Sequence, residues 1–474
     1  MAVVGAGPVG SLCALTHARK GARIALFEAR PNGARTVGGE WLHPPAARLL
    51  QQVGIHFETP TEAAVTNGFI YFPEDGSEPI ELPYPAGSQG LACEHGLLVR
   101  RLRETAANHP NVDLIPERVR SVEDGRVGFE RDGGTESIAA DLIVGTDGPR
   151  SVVRRSLGLP TKRTSCSRMV GFELNGSSQE TNLLQEGYGR VVLGGPGPMF
   201  IYRLNSDSVR IHVDIPLRFP PEQTVDLLLN NCAPLLPQEW QHEFTRLVQE
   251  RRFHTTGNGL NPRFSYGSSR RILLGDAAGH YHPSTAVGMT LGFGDAWALS
   301  QYEDPSRFAA RRFKEIRAPE ILALAFYEIM VDNRVESAAI RHSVYRIWRA
   351  NGWQAKRSVK LLSCEDTSEF GLGIVGGLVT LRATTKTTLR SSGLRGLRQS
   401  GSARYRLILR VGWFVRGVRQ LRKVRERRQA SAQKFLAVMT RAMPATMQSR
   451  DRLDEPLEGR EHAGKNEQPE PAEK

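Results

Sequence analysis

Gly5-Ala6-Gly7-Pro8-Val9-Gly10 follows directly on the short apolar run Ala2-Val3-Val4. That order can bind a diphosphate. Gly5 permits a tight strand-to-helix turn, Gly7 lets the backbone approach the phosphates, and Gly10 lets the helix pack closely on the strand. Pro8 and Val9 open a helix whose free N–H groups and partial positive charge face an anion. Leu12, Ala14, Leu15 and Ala18 continue that helix, Gly21 ends it, and a second apolar strand, Ala22 to Phe27, closes on Glu28. An acid roughly 20 residues past the glycines accepts hydrogen bonds from a ribose 2′-hydroxyl. A lone glycine pattern is weak, but strand, glycines, helix, strand and acid in order predict a nucleotide site. The acid disfavours a 2′-phosphate, which points to FAD or NAD rather than NADP. A second such spacing, Gly371 to Gly376, has no strand before it and no acid after it. It reads as a glycine-rich apolar helix or loop.

Two further segments decide for FAD. Ala140-Asp141-Leu142-Ile143-Val144-Gly145 is an apolar strand ending in Thr146-Asp147-Gly148, followed by the basic helix start Arg150, Arg154. It resembles the Asp-Gly motif of flavoprotein hydroxylases. Arg271 to Leu274 is another strand, and it delivers Gly275-Asp276 to a turn where a carboxylate can bind ribityl or ribose hydroxyls. Beyond His282-Pro283, small residues lead to Gly288-Met289-Thr290 and then Gly294-Asp295-Ala296. Backbone N–H groups of this loop and of the following helix would stabilise negative charge on a reduced flavin. His280 and His282 share the loop with no third ligand in view, so no metal is expected. No Ser/His/Asp constellation is visible, and no single residue stands out as a catalytic acid or base.

At this point the chain resembles the squalene epoxidase family. The run His282 to Thr290 has that family's His-Pro-x-Thr-x-x-Gly-Met-Thr form, where general aromatic hydroxylases carry Pro-x-x-Gly-x-Gly-x-Asn. Val37-Gly38-Gly39-Glu40-Trp41-Leu42-His43-Pro44 matches another family stretch with one extra glycine. Asn67-Gly68-Phe69, Leu82-Pro83-Tyr84-Pro85, His95-Gly96, Leu102-Arg103 and Pro110-Asn111 match others. The likeness runs in order over about residues 1 to 300, with a weaker echo to about Leu381. Carried over by position, it implies FAD contacts at Pro8, Val9, Glu28, Ala29, Arg35, Trp41, Arg103, Val119, Asp276 and Met289. With the motif residues Gly5, Gly7, Gly10, Asp147 and Gly288 these form the expected cofactor site. Two departures stand out. Phe69 replaces a tyrosine whose hydroxyl supports the flavin site in the family, and a basic block replaces the apolar C-terminal membrane segment of the eukaryotic enzymes.

The elements that must position these residues follow from composition and pattern. Of 474 residues, 40% are hydrophobic and 24% charged, an ordinary composition with enough apolar residues for a sizeable core. The expected fold class is α/β: a Rossmann-type FAD-binding domain of the glutathione-reductase-like kind, a β-sheet substrate domain and a helical C-terminal region. The expected divisions are 1–160 (first part of the FAD domain, with inserted strands at 60–100), 161–265 (substrate sheet), 266–300 (second part of the FAD domain), 301–381 (helices), 382–448 (basic amphipathic helices) and 449–474 (a disordered tail). Short β-like runs at Arg190–Leu193, Pro198–Leu204 and Val209–Ile215 form the sheet. Met199, Phe200, Ile201 and Val213 are expected to line a greasy pocket. Helices are expected at Pro305–Arg317, Pro319–Val331 and Val335–Ala350. Five scattered cysteines without a CxxC pair suggest a reducing compartment, and Met1 runs into a strand with no charged leader.

Net charge is +13, and it is uneven. From Arg382 to Arg428 the one acid is Glu426, and Leu407 to Arg428 has the pattern of an interfacial helix with Trp413 and Phe414 among arginines. A peripheral contact with an anionic membrane surface through 382–428 is expected, with no nucleic acid, in a cytoplasmic protein at the inner face of the membrane. The resemblance implies a monooxygenase that hydroxylates or epoxidises a small hydrophobic substrate (isoprenoid, quinone-like or polyketide) with O2, through a C4a-hydroperoxyflavin. NAD(P)H or a partner reductase would supply the electrons. An FAD-dependent reductase of polyprenyl double bonds is the alternative. A flavin-dependent halogenase is disfavoured because its Gly-Trp-x-Trp-x-Ile-Pro motif is absent.

Overall fold

Five short strands lie parallel in the order Arg271–Leu273, Ile143–Gly145, Ala2–Val4, Ile24–Phe27 and Val112–Ile115. Each is a near-continuous apolar run, as a strand covered on both faces must be. The computed structural model describes residues 1–30, 38–160, 164–175, 187–302, 304–332 and 334–389. Helix Pro8–Ala18 packs on this sheet through Leu12, Ala14 and Leu15, all buried. A three-stranded antiparallel meander, Val119–Glu123, Arg126–Arg131 and Gly134–Ala139, extends from it.

The second large element is a seven-stranded sheet in the order His254–Leu260, Thr164–Asn175, Ser208–Pro216, Met199–Arg203, Tyr188–Val192, Gly68–Phe72 and Ile80–Pro83. All its pairs are antiparallel except Tyr188–Val192 with Gly68–Phe72. Strand side chains alternate between faces, and the two faces of this sheet differ. One carries Val170, Phe172, Met199, Ile201, Ile211 and Val213, packed against Trp240, Phe244 and Leu247 of helix Gln238–Gln249. The other carries Phe69, Tyr71, Phe200 and Tyr202, packed with Trp41 of a small three-stranded sheet and against Met330, Tyr345, Trp348 and Val359 of the C-terminal helices.

This corrects one expectation. Met199, Ile201 and Val213 do not line a pocket above the nucleotide sheet, because alternation turns them into the opposite core; Phe200, between Met199 and Ile201, is the member that faces the helices. The helices themselves run Pro305–Glu315, Arg317–Val331, Val335–Arg349, Trp353–Leu362 and Glu369–Leu389. The second glycine pattern, Gly371 to Gly376, lies inside the last of these. Among the described residues no helix is long and apolar enough to cross a membrane, and all five cysteines are buried and unpaired with one another. The expected helix Leu407–Arg428, most of the basic block and the C-terminal tail lie outside the described residues.

One buried carboxylate ties the layers together. Asp295, on helix Val287–Ser300, has no solvent exposure. It accepts from the Gly275 amide at 3.0 Å, the Tyr266 hydroxyl at 3.1 Å and Arg312 Nε at 3.0 Å, and it pairs with Arg263 at 3.4 Å. Removing one partner of a buried ionic set leaves uncompensated charge. Asp295→Ala is expected to cost about 3–5 kcal/mol by that argument, measured as a lower urea midpoint at unchanged slope.

Candidate flavin site

The first glycine turn is closed from both sides. Gly5 has φ +100°, and a Cβ there would come within 2.8 Å of the Thr146 carbonyl oxygen; one on Gly10 would come within 1.9 Å of the Gly5 carbonyl. Above Gly7, by contrast, a Cβ would meet nothing within 4 Å. That open face is where a diphosphate would lie. Glu28 ends its strand beside this turn and accepts from the Ala6 amide at 3.1 Å and the Arg30 amide at 2.9 Å. Arg103, on helix His95–Ala107, reaches the same carboxylate at 3.3 Å and donates to the Ala6 carbonyl at 3.1 Å. Glu28 and Arg103, far apart in sequence, are thus brought together at the dinucleotide turn. Ala29 is exposed next to them, and Val119 opens the meander, half-buried against the nucleotide core. Arg35 lies outside the described residues.

The second and third motifs meet the first through Val9. A Cβ on Gly292 would be 2.6 Å from Val9 Cγ2 and one on Gly275 3.2 Å from it, so these two glycines make room for the valine and bring helix Val287–Ser300 onto the first turn. Asp147 follows its strand and accepts from the amide of Val152 at 2.6 Å, at the start of a short helix that Ser151 caps. Burial pushes its carboxyl above the usual range. Asp276 sits on the turn Gly275–Ala277 with its side chain exposed between buried neighbours. The buried Arg154 holds that turn, donating to the carbonyls of Ala277 at 3.1 Å, Ala278 at 2.8 Å and Pro160 at 2.7 Å. The sequence offered no more than a basic residue after Asp-Gly at this position.

Next comes the loop expected at the flavin ring. Pro283–Thr285 is one turn of 3-10 helix; Ala286 follows in the left-handed region at φ 52°, and helix Val287–Ser300 starts there with no side-chain cap. Its first N–H groups are therefore available to an acceptor, and a Cβ on Gly288 would meet nothing within 4 Å. Met289 packs back on Gly39, where a Cβ would be 3.0 Å from its Cε and φ is +70°. The extra glycine of the Val37–Pro44 stretch is thus a place where a side chain would collide with the loop.

A hydrogen-bonded relay fixes the carbonyl of Thr285. Trp41 Nε1 donates to the Tyr84 hydroxyl at 2.9 Å, Tyr84 lies 2.8 Å from His43 Nδ1, and His43 Nε2 lies 2.8 Å from the Thr285 oxygen. Since a carbonyl only accepts, the neutral imidazole carries its proton on Nε2 and takes the Tyr84 proton at Nδ1. Phe69 stacks on Trp41 with ring centroids 4.8 Å apart and meets Tyr84 edge-on at 5.9 Å. Phe69 thus contributes only ring contacts to this cluster, and the cluster's hydroxyl is that of Tyr84, just past the strand Ile80–Pro83. The motif around Tyr84 does not reveal this role, because the strand pairing Phe69↔Leu82 that brings it close is not local.

These residues fit an FAD. The turn above Gly7 and the helix start at Gly288 are open where a ligand needs them, and Asp276 is exposed between. Ser284 Oγ, Thr285 Oγ1 and Thr290 Oγ1 are buried around the loop without a hydrogen-bond partner, which is the state expected of groups waiting for a bound molecule. Glu28 and Arg103 would hold the adenosine end, Asp276 the linking hydroxyls, and the Val287–Met289 amides the ring. A parallel nucleotide sheet joined to a large mixed sheet, with three motifs converging on one flavin seat, defines an FAD-dependent monooxygenase. The model of the squalene epoxidase family matches residues 139–385, and the chain belongs to that family. It is 26% identical over 389 residues to squalene monooxygenase of Mus musculus, covering 76% of this chain and 67% of the relative. It is 29% identical over 393 residues to squalene epoxidase 1 of Arabidopsis thaliana, covering 76% and 72%. Its fold is similar to that of p-nitrophenol 4-monooxygenase from Pseudomonas putida, with TM-score 0.62, 19% identity, and 80% and 97% of the two chains covered.

Two expected outcomes follow from this geometry. Asp276→Ala removes an exposed carboxylate that makes no hydrogen bond within the protein, so unfolding should be unchanged while FAD affinity falls about 10- to 100-fold, the loss of a charge-assisted hydrogen bond; flavin fluorescence titration reads it. His43 is held neutral by burial, its pKa pushed down to about 4. The unfolded chain binds that proton below the ordinary histidine value of about 6.5, so His43 withdraws stability as pH falls from there toward 4. His43→Gln should flatten the acid side of the stability profile in that window, measured by urea midpoints against pH.

Proposed function

We propose that this chain inserts one oxygen atom of O2 into an apolar substrate, as an epoxide or a hydroxyl group, on an isoprenoid, quinone-like or polyketide skeleton. The observation that carries this is the aromatic layer between the large sheet and the C-terminal helices: Phe69, Tyr71 and Phe200 of the sheet meet Trp41, Phe326 and Trp348 beside the Tyr84–His43 relay to the flavin loop. Such a layer excludes water and holds a molecule by apolar area. Bound FAD supplies the oxygen activation. The chain's own part is to stabilise charge on the reduced ring with the amides of Val287–Met289, to hold the loop through His43, and to keep the reacting carbon near the ring. One oxygen atom enters the product and the other leaves as water, with two electrons from NAD(P)H, directly or through a separate reductase. We assign the domain divisions and site residues set out above on the same reading.

Peripheral attachment to the inner face of the membrane belongs to this proposal. Helix Glu369–Leu389 leads into the basic segment 382–428, and its Phe370 and Leu381 are 74% and 62% exposed. Apolar side chains beside a cationic segment suit an anionic lipid surface.

Turnover of a panel of polyprenyl and polyketide substrates under 18O2 tests the chemistry. Incorporation of one labelled atom is expected; saturation of a double bond without oxygen would support the reductase reading instead. For attachment, the full chain should float with phosphatidylserine vesicles at low salt, and should be released at high salt and from zwitterionic vesicles. Equal binding to both lipids would reject the basic segment as the anchor.

A further inference from the structure

The strand Ser208–Pro216 alternates: Val209, Ile211, Val213 and Ile215 share one face of the large sheet, and Ser208, Arg210, His212 and Asp214 share the other. Asp214 has no solvent exposure and stands at the meeting point of five elements. Its Oδ1 lies 2.9 Å from His282 Nε2, 2.5 Å from Ser167 Oγ and 3.1 Å from Asn258 Nδ2; its Oδ2 accepts from the Tyr327 hydroxyl at 2.9 Å. Ser167 comes from the adjacent strand Thr164–Asn175, Asn258 from the strand beyond it, His254–Leu260, Tyr327 from helix Arg317–Val331, and His282 from the loop that leads to the flavin seat.

The imidazole of His282 does two jobs. Nδ1 accepts from the Ser284 amide at 3.1 Å and so caps the turn Pro283–Thr285 from inside. An atom that accepts an N–H carries no proton, so the ring's proton is on Nε2, which lies 2.9 Å from Asp214 Oδ1 and 2.9 Å from the Ser167 Oγ that itself donates to Asp214. The ring is also stacked on Tyr327, with centroids 3.5 Å apart and planes within 19°. The Ser284 amide of its own loop fixes the tautomer of His282, while its tilt and position are set by groups of the substrate sheet and the helical layer.

The turn that His282 caps is held at its other end by His43, through the Thr285 carbonyl. One residue further on, Ala286 takes the left-handed conformation and the helix amides begin. We propose that Asp214 is a positioning residue for the flavin: acting through His282, it sets where the amides of Val287–Met289 stand against the ring. Asp214 does not touch the cofactor in this assignment. It makes the placement of the flavin loop conditional on the substrate sheet being docked. The proposal rests on the flavin seat described above.

His282→Asn tests it. A side-chain oxygen one bond sequence shorter still caps Ser284, as asparagine does in turns, but the residue is too short to reach Asp214. Asp214→Asn removes the charge and keeps the shape. Both variants are compared with the double variant in a cycle, reading three quantities: FAD affinity by fluorescence titration, the visible flavin spectrum with its midpoint potential, and kcat and KM for substrate. The proposal expects each single variant to weaken FAD binding about 10-fold, to shift the flavin spectrum and potential, and to lower kcat with KM little changed. It expects the double variant to be no worse than the worse single one, since groups acting through one contact are not additive. Single variants that fold with wild-type FAD affinity, spectrum and potential overturn it, and so do additive losses. If one single variant fails to fold, the other decides alone by the same spectrum and potential. If wild-type protein in the same titration takes up no FAD, the flavin seat itself is wrong, which separates that failure from this one.

Discussion

A buried carboxylate facing buried arginines tolerates very little displacement, and Asp295 is that constraint here. Arg263 and Arg312 cannot be left without a counter-ion in a site closed to water, so helix Val287–Ser300 is fixed to the turn Gly275–Ala277 and to helix Pro305–Glu315 at once. With the helix fixed, Gly292 and Gly275 receive Val9, and the first dinucleotide turn is locked to the second motif. Each flavin-facing group inherits its place from this arrangement. The glycines supply open space, but the ionic lock decides where that space is.

The nucleotide half of the molecule was legible because its signals are local. Strand, glycine turn, helix and acid follow one another within thirty residues, and Asp147 and Asp276 each end an apolar strand. The substrate half was legible as strands but not as faces. Met199, Ile201 and Val213 looked like pocket residues by hydrophobicity alone, and alternation places them in the opposite core. The clue was present nearby: Arg210, His212 and Asp214 repeat at period two in an apolar strand, which marks a polar-bearing face. Partners at long range were not readable. Glu40 binds Arg210 in a buried two-point ion pair, at 2.8 and 2.9 Å, and nothing in either segment announces the other.

The replacement of a family tyrosine by Phe69 illustrates a related limit. Read along the chain, it is a lost hydroxyl. In space, Tyr84 stands edge-on to Phe69 and completes a relay from Trp41 to Thr285. Tyr84 belongs to the Leu82–Pro85 stretch that matches the family in its own right, so the cluster keeps this hydroxyl while lacking the one at position 69.

The pairing of Tyr188–Val192 with Gly68–Phe72, and of Arg271–Leu273 with Ile143–Gly145, interleaves the two sheets along the chain. During synthesis the nucleotide sheet cannot receive its last strand until the whole substrate sheet has left the ribosome, and the earliest pair of the substrate sheet, Gly68–Phe72 with Ile80–Pro83, keeps one edge open until residue 192 has followed. Non-local strand pairing is slow and leaves edges exposed while it waits. Neither half can therefore be born as a finished unit. This architecture should depend on holding chaperones early in its life and resist division into separately expressed parts.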